Sequence, residues 1–170
     1  MKARLVIFVS VAVVAAAGLV SVASAGPAAT KQRVAIDARI MLPGQTMGSF
    51  VLAPVTTATL RADSGVFAGN WRSVPGRELM RSGQKVTIYN GVLWTLTGKQ
   101  GTITIRERTE SVAIGNDACN DGQPDSVATG SWKVMSATGD YAGIKGAGRS
   151  AHERLGVIWF ARYEGVLTLP

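Results

Sequence analysis

The chain has 170 residues, 46% of them hydrophobic but only 6% aromatic, and 18 basic against 11 acidic side chains give a formal charge of +7. One cysteine, Cys119, excludes an intramolecular disulfide, and one histidine, His152, excludes a zinc site built on several imidazoles. Stability must therefore come from core packing.

The first segment reads as an export signal. Lys2 and Arg4 form a positive start, residues 5–20 carry no charge, and Ala23-Ser24-Ala25 is the small-x-small pattern that signal peptidases accept. Gly26-Pro27 then halts a helix. The competing reading is an uncleaved membrane anchor, since a span needs roughly 20 apolar residues. Cleavage after Ala25 leaves residues 26–170 as one secreted or extracytoplasmic domain without a further transmembrane span. It would carry 16 basic and 11 acidic side chains, a charge of +5.

Beyond the signal, no long window shows helical periodicity. Short runs of Val, Ile, Thr and aromatics lie between glycines, which is the pattern of an all-β chain. Val34, Ile36, Ala38 and Ile40 alternate with polar or small residues and predict a half-buried strand. Further strands are expected over 48–52, 56–62 and 66–72, with a turn at Asp63-Ser64-Gly65 and a loop over 73–83.

Residues 85–108 form the clearest unit. Gly98-Lys99-Gln100-Gly101 is a turn pairing Thr97 with Thr102, so that Leu96 faces Ile103 and Trp94 faces Ile105. One face is then Val92, Trp94, Leu96, Ile103 and Ile105, and the other is a threonine ladder. Residues 115–130 are a long polar loop. Its Asp117, Asp121 and Gly122 approach a calcium-loop pattern but place Cys119 and Ala128 at ligand positions, which argues against a site. Strands resume over 131–136, 155–160 and 162–169, with one short helical turn near 138–144. The sum is a single antiparallel β-barrel of about eight strands.

No chemical motif stands out, and no cofactor is implied. Any Ser-His-Asp arrangement would need His152, but Ser150-Ala151-His152 reads as a loop and no Gly-x-Ser-x-Gly elbow is present. Glu107, Glu110, Asp140 and Glu164 are the carboxylates available for paired acid–base work. Glu107 and Glu110 lie beside Arg106 and Arg108, which points to surface pairing. A barrel that binds a small apolar or amphipathic molecule lines its lumen with aromatics, so Trp94, Trp132, Tyr141 and Trp159 are the candidate ligand contacts. Residues 61–108 hold eight basic side chains against Asp63, Glu78 and Glu107. Arg72, Arg77, Arg81 and Lys85 are thus candidates for an anionic envelope surface, with solvated strand faces as the alternative. Nucleic acid is not expected, because export removes that partner and no recognition motif is present.

Residues 130–148, beginning Gly130-Ser131-Trp132-Lys133-Val134 and running through Thr138-Gly139-Asp140-Tyr141 to Gly146-Ala147-Gly148, resemble a motif of small secreted bacterial barrels similar to the allene oxide cyclase and dirigent proteins. Ala137 stands where the motif has glycine and Ile144 where it has leucine. Residues 98–105 are similar to a hairpin of the same proteins. The resemblance implies a barrel and a turn that tucks Tyr141 and Ile144 against the sheet. None of those families' functional residues maps onto this sequence, so their activities are not carried over. The functions left open are a non-catalytic binding module, a lumen enzyme of the isomerase or cyclase kind, and an envelope-associated protein.

Overall fold

The computed structural model describes residues 29–41, 46–55, 59–115 and 124–170. The export segment, the calcium-like stretch around Asp117, Cys119 and Asp121, and part of the strand expected over 56–62 lie outside these residues.

Nine strands run in chain order: β1 (Thr30–Met41), β2 (Met47–Pro54), β3 (Asp63–Gly69), β4 (Gly76–Arg81), β5 (Gln84–Gly98), β6 (Thr102–Ala113), β7 (Ser126–Ala137), β8 (Lys145–Leu155) and β9 (Ile158–Leu169). All pairings are antiparallel, in the order β3-β2-β1-β9-β8-β7-β6-β5-β4, and β3 also pairs with β5. That last pairing closes eight strands into a barrel and leaves β4 as an extra strand outside the ring. The helical content is two isolated 3₁₀ turns, Trp71–Ser73 and Gly139–Tyr141. The second is the short turn expected near 138–144.

The hairpin register read from the sequence is the one observed. Thr97 pairs with Thr102, Leu96 with Ile103, Trp94 with Ile105 and Leu93 with Arg106. Val92, Trp94, Leu96, Ile103 and Ile105 are all buried. Strand β1 contributes Val34, Ile36, Ala38 and Ile40 to the same interior, opposite Tyr163, Ala161 and Trp159 of β9.

Strand β5 serves two partners, and a bulge makes that feasible. Its first half pairs with β4 and its last residues with β3. Between them the register against β6 shifts at Asn90/Val92, around Gly91, whose φ of 97° is open to glycine. The extra residue exchanges the two faces of the strand. Tyr89 therefore shares the interior with Val92 and Trp94 although its number has the opposite parity. The side chain of Asn70 accepts the amide of Leu93 at 2.8 Å, satisfying it where β4 leaves off.

Several local expectations are corrected. Asp63-Ser64-Gly65 is the start of β3, not a turn, because all three residues pair with β2. The stretch 73–83 is not one loop. It contains β4 and the two-residue turn Ser82-Gly83, both with positive φ, a geometry that matches the twist of a hairpin. Residues 155–160 are not one strand, since Gly156 and Val157 turn β8 into β9.

Candidate functional site

One end of the barrel is closed. Tyr141 and Ile144 fold under it and are buried. The Tyr141 hydroxyl donates to Asp63 at 2.9 Å, and the same carboxylate accepts the amides of Ser64, Lys99 and Gln100. Gly98 lets this happen, because a Cβ there would fall 2.1 Å from the Asp63 carboxylate. Burial would raise the Asp63 carboxyl, but the hydrogen bonds from Tyr141, Gln100, Ser64 and Lys99 outweigh it and hold it below the usual range. Burial, followed by Asp63, raises the Tyr141 hydroxyl far above its ordinary value.

The other end holds a cavity of about 160 Å³. Its walls are Trp71, Tyr89, Trp94 and Trp159 with Ile40 and Val92, and its polar lining is Glu107, Thr109, Ser111, Ser126, His152 and Arg154. Trp94, Phe67 and Trp159 form a three-ring cluster, with centroids 4.6 Å apart for Phe67–Trp94, 5.1 Å for Trp94–Trp159 and 6.0 Å for Phe67–Trp159.

Glu107 sits on the inner face of β6 because alternation continues from Ile103 through Ile105 to residue 107. The expectation of a surface glutamate paired with its arginine neighbours is therefore wrong: Arg106 and Arg108 point outward, and Glu107 is only 2% exposed. Nor is His152 a loop residue. It lies in β8, 8% exposed, on the same face as Ser150. Both reach Glu107 across β7, whose inward positions between them are the small residues Ala128 and Gly130. A Cβ at Gly130 would come within 2.7 Å of the Ser150 hydroxyl.

Four donors converge on the Glu107 carboxylate. Oε1 accepts from the Ser150 hydroxyl and lies 2.7 Å from His152 Nε2. Oε2 accepts from Trp94 Nε1 at 2.7 Å and from the Tyr163 hydroxyl at 3.3 Å. An ionised carboxylate offers about four lone-pair sites, so the group is saturated. This satisfies a charge whose burial would otherwise be costly. Burial, then the charge of Glu107 and the hydrogen bond to it, raise the Tyr163 hydroxyl well above its ordinary value, so Tyr163 remains a donor. Chemically, the arrangement fixes one imidazole nitrogen and leaves the other ring nitrogen for a second partner.

The four aromatic residues singled out in the sequence separate. Trp94 and Trp159 line the cavity. Trp132 is buried beside it, its Nε1 donating to the Arg149 carbonyl at 3.0 Å and its ring edge-on to Tyr163. Tyr141 is at the closed end. Of the four basic residues, Arg81 pairs with Glu110 and Lys85 with Glu78, each at 2.6 Å. The Arg72 guanidinium lies 5.3 Å from the Trp71 ring centre, and Arg77 is exposed on β4. The sequence reading missed Trp71, Tyr89, Glu107 and His152 as site residues. For Glu107 the alternation of the hairpin face was the available signal.

The fold and site define an all-β closed barrel with one sealed end and one cupped end. No family model matches the chain, and neither a curated protein nor a solved structure matches it.

Proposed function

We propose that the chain is an exported binding module whose cupped end takes up one small, mainly apolar molecule about the size of a single ring. The cavity carries this reading. An apolar cavity of roughly 150 Å³ admits a benzene-sized molecule, whereas drug-sized ligands occupy about 300–1,000 Å³. Four aromatic side chains wall a volume of about 160 Å³, which fits the former class. Export through residues 1–25 and kinship with the allene oxide cyclase and dirigent barrels belong to the same proposal, and the closed antiparallel barrel is compatible with that kinship.

Toluene added to the purified protein should change tryptophan emission and saturate at one molecule per chain, with the far-UV circular dichroism unchanged. Naphthalene, with two rings, should bind more weakly. Absence of any saturable change with toluene contradicts the reading.

A second reading, a lumen enzyme of the isomerase or cyclase kind, has the Glu107–His152 pair in its favour. It requires a bound molecule to emerge altered, which NMR of recovered ligand would reveal. The envelope reading through residues 61–108 draws less support, because Arg81 and Lys85 already have acidic partners.

A further inference from the structure

The polar side of the cavity is unequal in what it offers a ligand. Glu107, its only carboxylate among the described residues, already accepts from four protein donors. An ionised carboxylate can only accept, so toward an ionised Glu107 it is Nε2 of His152 that donates. The opposite nitrogen, Nδ1, has no hydrogen bond to any described residue, and it belongs to a ring that lines the cavity. Arg154 lines the same cavity, with its Nε donating to the Gly156 carbonyl.

We propose that the cupped end binds small single-ring carboxylates, and that His152 takes up one proton with each molecule bound. This rests on the cavity being a binding site. A carboxylate entering beside the Glu107 charge meets like charge unless His152 is protonated. With one proton taken from solvent onto Nδ1, the new N–H donates to the ligand carboxylate, and the charge of the cavity floor is the same before and after binding. The ring of the ligand lies against Trp159 and Tyr89. Among the described residues, the charged and titratable groups around His152 are Glu107 from β6 and Tyr163 from β9, which touch it, and Arg154 from β8 itself and Tyr89 from β5, which line the same cavity. Tyr163 keeps its proton, so the uptake is assigned to the imidazole. Glu107 acts as a positioning residue: it fixes which nitrogen meets the ligand, and its charge offsets the imidazolium.

Calorimetric titration of the purified protein with sodium benzoate, in two buffers of different ionisation enthalpy, measures the proton count directly. Toluene is the uncharged control. The expected result is tighter binding of benzoate than of toluene, with about one proton taken up per benzoate, so that affinity falls by about tenfold per pH unit where free His152 is neutral. His152→Gln keeps an N–H for Glu107. It should abolish the proton uptake and weaken benzoate by a larger factor than it changes toluene, whose binding carries no proton in either protein. Should that variant not fold, the wild-type count decides: near one supports the proposal, near zero overturns it. Toluene binding without preferential, proton-linked benzoate binding overturns the carboxylate site and leaves the cavity reading standing. Proton uptake that persists in folded His152→Gln overturns the assignment to His152. If neither compound binds, the cavity reading falls, and this proposal with it.

Discussion

Asp63 and Glu107 are both carboxylates buried inside the barrel, one near each end, and they are held by different kinds of donor. Asp63 accepts three backbone amides and one tyrosine hydroxyl. The amides belong to the start of β3 and to the turn between β5 and β6, so its bonds join the strands that close the ring. Glu107 accepts only side chains, from β5, β8 and β9. Backbone donors cannot turn away without opening a strand pair, and they make Asp63 a fastening. Side-chain donors can be exchanged one at a time, and one of them, His152, carries a second nitrogen beside the cavity. A buried charge thus serves closure at one end and leaves chemical freedom at the other.

The strongest test of this contrast is Trp94→Ala. It removes the ring that contacts both Phe67 and Trp159 and one donor to Glu107. A loss of about 3–5 kcal/mol is expected in denaturant titration. Thr95→Ala, on the outer face of the same strand, should cost less than half as much. Equal losses would show that the two faces are not distinct.

Next in size is Tyr141→Phe, which should cost about 1.5–3 kcal/mol, as loss of a hydrogen bond to a charged group does. Toluene binding at the other end should be unaffected. Lost affinity would mean that the two ends are coupled.

Acid separates the ends further. The Asp63 carboxyl is lower in the folded chain than its ordinary value, so its contribution is complete above the unfolded value of about 4 and disappears as pH falls through the folded one. The urea midpoint of the wild type should decline below about pH 4. Asp63→Asn should be less stable at neutral pH and lose less on acidification. A parallel decline in both proteins would remove Asp63 from the account.

The smallest expected effect is at the rim. Trp71 is half-buried in a 3₁₀ turn and packs against the core, so Trp71→Ala should cost about 1 kcal/mol of stability. Toluene affinity should nevertheless fall, because one wall of the cavity is gone. Unchanged affinity would move the ligand away from this wall.

What the sequence revealed follows from local periodicity. The 85–108 hairpin was legible because strong β-formers alternate on both sides of an evident turn. The same alternation extends to Glu107, but two flanking arginines made a surface reading more natural. Strand β8 was hidden by composition. Its inward positions include Gly146 and Gly148, which have poor strand propensity but are needed where β8 packs against Leu167 and the β9 backbone. Burial of His152 follows from that strand and could not precede it. Tyr89 was beyond reach for another reason: the bulge at Gly91 exchanges the faces of β5, so counting back from Trp94 puts it outside. Strand β4 pairs with β5 alone, and Pro75, Gly76 and Gly83 around it read as loop.

The central claim, that the cupped end and not the sealed end is the binding end, can be tested by following indole N–H signals in NMR spectra during a toluene titration. The chain has four tryptophans, and only Trp71, Trp94 and Trp159 line the cavity. Those three signals should shift together and saturate at one toluene per chain, while Trp132 and the backbone amides around Tyr141 stay in place. Shifts centred on Trp132 or Tyr141, or no saturable shift in the three, would contradict the account.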